Sequence, residues 1–143
     1  MISQVIRLDL SSNGLSKAIS SIRNELDHLN KFRDVHVVIL FRLDGQVLES
    51  RYTKESSRSL LIVTSWVKNI ISKTMIELQR GSRSVKYDKK INKGKTIPVY
   101  FYRAGYSSIL VTFLDSRANT GFMEIEMSRT ARRLGWIIDK KKL

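Results

Sequence analysis

Apolar residues between positions 56 and 79 recur three and four residues apart, which is the spacing of one face of an α-helix. They cover about half of the helix circumference, whereas a stripe of about 100° is enough to cover one neighbour. The pattern therefore predicts a long helix that packs on the chain's own sheet and also on a second helix, such as one from another copy of the protein. The positions on this face are Leu60, Val63, Trp66, Val67, Ile70, Ile71, Met75 and Leu78.

Two other segments have helical periodicity. Residues 15–30 place apolar side chains on one stripe and polar side chains on the opposite one, and residues 118–138 do the same. Residues 1–14 alternate briefly between polar and apolar positions, which predicts an extended N-terminal arm or an extra short strand. Residues 139–143 form a basic tail, so a single domain is expected over residues 15–138.

A hairpin is predicted between the first two helices. The dipeptide Asp44-Gly45 separates residues 35–42 from residues 46–52 and suits the positive φ angles of a two-residue turn. Residues 35–42 are apolar on both faces, which is typical of a strand that is covered on both sides. Residues 108–114 have the same pattern, and we expect them to form a second central strand.

Two further strands follow the long helix, which Gly81 is expected to end in a left-handed cap. Residues 84–89 alternate between polar and apolar positions, which predicts a half-exposed strand, and residues 96–103 form its neighbour. Pro98 cannot donate to a sheet ladder, so we expect it at a bulge or at a position whose N–H would point away from the adjacent strand.

The order of elements is therefore helix-β-β-helix-β-β-β-helix. Two strands that are apolar on both faces require helices above and below one antiparallel sheet. The predicted fold is an α+β domain with three layers, α/β/α, built on a five-stranded antiparallel sheet.

Charge adds a candidate binding feature. The chain has 26 Lys and Arg residues against 13 Asp and Glu residues, a formal net charge of +13. The excess is concentrated after the long helix, where it would attract an acidic protein, a phosphate backbone or an anionic bilayer. The alternative is a solvated hairpin whose charges discourage edge aggregation. This basic patch consists of Arg80, Arg83, Lys86, Lys89, Lys90, Lys93 and Lys95.

Other compositional features point to the cytoplasm. The chain has no cysteine, which excludes disulfides and thiolate metal sites and fits a reducing compartment. Its longest uninterrupted apolar run covers residues 37–41, far below the roughly 20 residues of a membrane helix. No basic-then-apolar signal pattern stands at the N-terminus.

No catalytic constellation is recognisable. Gly94-Lys95-Thr96 resembles the end of a phosphate-binding loop, but Lys89 stands where that loop requires a glycine, and a strand follows instead of a helix. The only histidines, His28 and His36, belong to no spaced ligand cluster. We therefore predict a non-enzymatic protein with no cofactor and no metal. Four acidic residues, at a turn, a strand end and a helix surface, form no obvious pair for general acid/base catalysis. They are Asp44, Asp115, Glu124 and Glu126.

Two features predict a two-fold dimer. The half-polar strand at residues 84–89 has the pattern of a sheet edge, which is a template for pairing, and the long helix has more apolar circumference than one sheet covers. The residues predicted at the dimer interface are Trp66, Val67, Ile70, Ser84, Val85, Lys86 and Tyr87. A polar stripe on the long helix is either a plain solvent face or a docking face for a partner, and it consists of Ser65, Lys68, Asn69, Ser72 and Gln79.

Across residues 15–134 the chain resembles the roadblock/dynein light chain family. Residues 38–48, VILFRLDGQVL, are similar to the first hairpin of that family with its Asp-Gly turn. Residues 109–115, ILVTFLD, followed by Asn119-Thr120-Gly121-Phe122, are similar to its last strand and the entry to its final helix. The N-terminal segment and the basic hairpin depart from the compact family pattern.

The resemblance implies an assembly and a partner. Family members form homodimers or heterodimers in which the third strand pairs across the dimer and the long helices pack together. They act as adaptors for small Ras-like GTPases, sometimes raising GTP hydrolysis, or as subunits of motor and signalling scaffolds. The resemblance implies no catalytic side chain.

Two hypotheses follow. The first is a homodimeric, non-catalytic adaptor or regulator that binds a small Ras-like GTPase and stimulates hydrolysis, if it does, only by positioning. The alternative is a basic module that binds nucleic acid or an anionic membrane through residues 80–95 and the C-terminal lysines, and strong salt dependence of binding would support it.

Overall fold

The fold comes from a computed structural model that describes residues 2–53, 57–92 and 95–141. Three helices and five strands follow the predicted order, which confirms the α+β class and the roadblock-like arrangement. The elements are α1 (Ile2–Asn30), β1 (Val35–Arg42), β2 (Val47–Tyr52), α2 (Ser57–Gln79), β3 (Ser84–Asn92), β4 (Lys95–Arg103), β5 (Ser108–Leu114) and α3 (Thr120–Lys141).

Both ends of the chain are more helical than the pattern indicated. Residues 2–14, predicted to form an extended arm or an extra strand, belong to α1, and α3 continues through Lys140 and Lys141. The N-terminal alternation was misleading because Ile2, Ile6 and Leu10 also have the four-residue spacing of a helix. Gly14 costs a helix roughly 1 kcal/mol, which the continuous turns on either side outweigh. Among the described helices, none is long and apolar enough to cross a membrane.

The five strands form one antiparallel sheet in the order β2-β1-β5-β4-β3. All seven residues of β5 are buried, so the expectation of a central strand is confirmed. Gly45 has a φ of 89° in the β1–β2 hairpin, and Gly81 has the predicted positive φ, 107°, after α2. The hairpin turn is one residue longer than the predicted two, because the Arg42 N–H donates to the Gln46 carbonyl at 2.8 Å and residues 43–45 lie between them. β2 and β3 are left as the two edges.

Two apolar cores separate the layers. In β1, Val38 and Leu40 face α1 and α3, whereas Ile39 and Phe41 face α2. The same alternation divides β4, where Tyr102 packs in the α1/α3 layer. Because both faces of the central strands are apolar, helices cover the sheet on both sides.

Pro98 determines which groups of β3 face outward. It pairs with Asp88 of β3, whereas the pairing of β4 with β5 begins only at Val99. Because proline has no N–H, we infer that Asp88 and Pro98 form one of the pairs without mutual hydrogen bonds. Such pairs alternate along an antiparallel ladder, so the N–H groups of Ser84, Lys86 and Asp88 point away from β4 toward the free edge.

Candidate protein-interaction site

The outer face of α2 carries apolar side chains that no described part of the chain covers. Val63 and Val67 are fully buried against the sheet, as the periodicity predicted. On the opposite face, Leu61 is 72% exposed, Ile62 42% and Ile76 50%. Sequence reasoning missed these three residues because it followed the main apolar stripe and did not count the apolar positions outside it.

One side of α2 packs against β3 through aromatic rings. The Trp66 and Tyr87 rings are 5.5 Å apart and nearly perpendicular, and both contact Phe101 of β4 edge to face. The Thr74 and Tyr87 hydroxyls lie 3.4 Å apart. Trp66 and Tyr87 are only partly buried, as is Ile70 next to them, so an apolar margin remains along the β3 side of the helix.

The two sheet edges differ in how they are protected. β2 contains a register shift opposite β1, and its Glu49 and Arg51 form ion pairs with Arg23 and Asp27 of α1. β3 is longer, with nine residues, and its paired residues Ser84–Lys90 run opposite β4 without a register shift. A long, regular edge is a template for another strand, so β3 is the edge suited to pairing.

The residues predicted at the dimer interface fall into three groups. Trp66, Ile70, Val85 and Tyr87 lie together on the α2 side of β3. Ser84 and Lys86 belong to the same edge, but strand alternation places their side chains on the other face of the sheet. The prediction for Val67 was wrong in the described fold, because this side chain is fully buried in the core and offers no surface to a partner.

The polar stripe predicted as a docking face is exposed along its whole length. Its residues share the outward face of α2 with Leu61 and Ile76, and on one flank the stem of Lys68 packs beside Gly45 of the β1–β2 turn. A groove of about 360 Å³ between α2 and β2, lined by Leu61 and Val47, continues this surface. The exposed stripe consists of Ser65, Lys68, Asn69, Ser72 and Gln79.

The basic patch does not form one surface. Lys89 lies on the α2 side of the sheet, with its Nζ 5.2 Å from the centre of the Trp66 ring, whereas Lys86 lies on the other side, 5.9 Å from the centre of the Tyr100 ring. Strand alternation is the reason, because neighbouring residues of β3 point to opposite faces. Arg80, Arg83 and Lys90 are exposed, while Lys93 and the side chain of Lys95 lie outside the described part of the chain.

The other candidate residues have ordinary structural partners. His28 lies 3.0 Å from Glu126, and His36 lies 3.4 Å from Asp115. The backbone N–H of Arg117 and its side chain lower the pKa of Asp115 despite some burial, and the Gln46 N–H similarly lowers the pKa of Asp44. Lys95 begins a strand, and within the described ranges no cluster of His, Cys, Asp or Glu has the geometry of a metal site. The exposed apolar and polar side chains described above lie together on the α2 and β3 side of the sheet.

Comparison with known proteins gives the fold a family context. Myxococcus xanthus MglB has the same fold with a TM-score of 0.66 at 17% identity, over 86% of this chain and 91% of that chain. An MglB solved with a tetrameric arrangement gives a TM-score of 0.63 at 17% identity, over 87% and 92%. The Roadblock/LC7 domain from Streptomyces avermitilis gives 0.56 at 14% identity, over 76% and 89%. Identities this low show the fold alone.

These structures confirm the resemblance to the roadblock fold that the hairpin and last-strand motifs indicated. The comparison with curated proteins found no match. The model of the family described as AF0774-like protein matches residues 19–128, from the middle of α1 into α3. Because that match spans well over half of the chain, the protein belongs to the AF0774-like protein family.

Proposed function

We propose that the protein is a homodimeric, non-catalytic adaptor that binds a small Ras-like GTPase. In this assembly the β3 strands of two copies pair into a continuous sheet, the α2 helices lie side by side, and the GTPase docks on the outward faces of the two helices. The observation that carries the proposal is the unpaired nine-residue edge of β3 beside the uncovered apolar margin of α2.

The chemistry of β3 favours one register for the dimer. In a two-fold pairing centred on Tyr87, each Lys86 lies opposite the partner's Asp88, and Lys89 and Lys90 face uncharged residues. The N–H groups of Lys86 and Asp88 were both inferred to point toward the free edge, so each can donate to the partner strand in this register. Pairing would also bring the two α2 helices together. The exposed parts of Trp66 and Ile70 in one copy would then pack against the same residues of the other copy.

The GTPase surface is proposed on the exposed stripe of α2. Polar groups from Ser65 to Gln79 alternate there with exposed Leu61 and Ile76, a mixture of hydrogen-bonding and apolar groups that suits a protein partner. The family resemblance supplies the kind of partner. Any stimulation of hydrolysis would come from ordering the GTPase's own switch residues.

The dimer is tested by light scattering on wild type, Lys86→Pro and Lys86→Ala. Proline removes the outward N–H and its ring obstructs pairing, whereas alanine changes the side chain and keeps the N–H. We expect a dimer for wild type and alanine, and a folded monomer for proline, with folding checked by circular dichroism. A wild-type monomer, or a dimer that Lys86→Pro leaves intact, refutes the β3-paired assembly.

The partner is tested separately with the small GTPases of the same organism, each loaded with GDP or with a non-hydrolysable GTP analogue. We expect at least one of them to bind, and Ser65→Arg with Ser72→Arg to weaken that binding while the dimer persists. Arg117→Ala, in the β5–α3 turn, is the control. Absence of binding by every GTPase in both nucleotide states removes the adaptor proposal even if the dimer stands.

A further inference from the structure

A second surface lies on the opposite side of the sheet, where the β4–β5 loop is fixed against α3. A Cβ on Gly135 would lie 2.5 Å from the backbone N of Gly105, and Gly105 itself has a φ of 82°. The Tyr106 N–H donates to Asp139 Oδ1 at 3.2 Å, and Arg103 Nε donates to the carbonyl of Gly105 at 3.0 Å. The loop is thereby held in one conformation that leaves Tyr106 76% exposed.

An open groove of about 640 Å³ runs beside this loop. Three arginines line it, Arg83 before β3, Arg103 at the end of β4 and Arg132 on α3, and we call it the arginine groove. Trp136, which is 65% exposed, also lines it. Buried Tyr102, in the α1/α3 layer, is a further lining residue, so the groove is separate from the α2 surface.

The lining of the groove carries an excess of positive charge. Among the described residues, Arg83, Arg103 and Arg132 have no ion pair. The one carboxylate in the lining, that of Asp139, accepts the Tyr106 N–H and offsets only one of the three positive charges. Guanidinium groups pair with carboxylates through two parallel hydrogen bonds, so three of them in one groove select for an acidic ligand.

The aromatic residues of the groove are arranged as anchors. The Arg103 guanidinium lies 5.4 Å from the centre of the Tyr106 ring, and Lys140 Nζ lies 4.4 Å from the centre of the Trp136 ring. Exposed Tyr, Trp and Arg side chains are the groups that contribute most to protein interfaces. They offer apolar contact area at small entropic cost, because each ring is held beside a cation.

We propose that the arginine groove binds an acidic, extended segment of a partner protein, with carboxylates on Arg83, Arg103 and Arg132 and an apolar side chain against Trp136 and Tyr106. A peptide fits better than the other anionic surfaces. A flat bilayer does not enter a concave groove, and a nucleic-acid backbone requires a run of cations longer than this one cluster.

The test uses a fluorescein-labelled twelve-residue peptide of Glu and Asp with one central Phe, titrated by fluorescence anisotropy at moderate salt. We expect binding to wild type and a Kd at least about tenfold higher for Arg132→Glu, because a reversed charge replaces attraction with repulsion. Lys73→Glu makes the same change of charge on exposed α2, across the sheet, and is expected to stay within about twofold of wild type. Circular dichroism confirms that both variants fold.

Each other outcome overturns the proposal. No binding to wild type does so, as does equal weakening by the two variants, which would indicate only general attraction to a basic protein. A control peptide with Gln and Asn in place of the acids must bind far more weakly. Tighter, Arg132-dependent binding to phosphatidylserine vesicles or to random-sequence DNA would reassign the groove. None of these results depends on the dimer or on a GTPase.

Discussion

At the scale of single residues, the buried phenol of Tyr102 makes the stability of the fold depend on pH in the alkaline range. Burial raises the pKa of its phenol to about 12, and the hydroxyl donates to the carbonyl of Glu124 at 3.4 Å. In the unfolded chain the phenol ionises near 10. The unfolded state therefore loses a proton first, and the free energy of unfolding falls by roughly 2 kcal/mol as the pH rises from about 10 to about 12.

The measurement is the difference in unfolding free energy between wild type and Tyr102→Phe as a function of pH. Below pH 10 the difference is expected to be constant, and above it wild type alone loses this contribution. Tyr106→Phe, at an exposed position, is the matched control and should follow wild type throughout. Parallel curves for wild type and Tyr102→Phe up to pH 12 would contradict the assignment.

Two buried threonines of the α1/α3 layer differ in their partners. The Thr130 hydroxyl has no hydrogen-bond partner among the described residues, whereas the Thr112 hydroxyl donates to the sulfur of Met127 at 2.6 Å. Thr130→Val removes an unsatisfied buried group and keeps the shape, so we expect stability to rise by about 1 kcal/mol. Thr112→Val is expected to bring no gain. Urea unfolding measures the free energy of unfolding of both variants. Equal increases for the two would refute the difference between the hydrogen-bonding states of Thr130 and Thr112.

At the scale of elements, the ion pairs of β2 fasten this edge to α1. Burial by itself would raise the pKa of Glu49, but hydrogen bonds from Arg23 and Arg51, each at 3.0 Å, lower it overall. A lowered carboxyl pKa stabilises the fold above pH 4.5, and that stability is lost as the pH falls through the folded-state pKa.

Glu49→Gln is therefore expected to cost about 0.5 to 1 kcal/mol near neutral pH, since the group is partly exposed, and progressively less below pH 4. Thermal unfolding from pH 3 to pH 7 measures this. Glu124→Gln is the control, because the Glu124 side chain is exposed and forms no ion pair with any described residue. A cost that does not change with pH would point to packing instead of charge.

At the scale of the whole molecule, we expect only some of the exposed apolar residues of α2 to contribute to the dimer. Ile62 precedes Trp66 by one helical turn and so lies on the β3 side, whereas Leu61 lines the groove beside β2. Ile62→Glu is expected to raise the dimer dissociation constant at least about tenfold, because it buries a charge between helices. Leu61→Glu should leave it unchanged. Sedimentation equilibrium compares the two, and equal effects would argue against helices that meet on the β3 side.

The sequence predicted the fold well because the responsible interactions are local or periodic. Asp44-Gly45 specified the position of the hairpin through the positive φ of Gly45, although the turn has three residues and not two. The β1 and β5 runs specified buried strands through apolar residues on both faces. The candidate site was predicted less well. The edge position of β3 was expected, but Val67 was assigned to an interface because periodicity identifies an apolar face without showing what covers it.

What the sequence determined by itself is the order of helices and strands, their turns and which strands are central, since backbone propensity and side-chain periodicity act within one segment. Tertiary structure alone decided which apolar residues stay exposed, how β3 divides the basic patch between two faces, and how Gly105 and Gly135 bring Tyr106, Arg103 and Trp136 to one groove. These outcomes depend on contacts between residues far apart in the chain. Their geometry is set by packing of the layers, and no single segment encodes it.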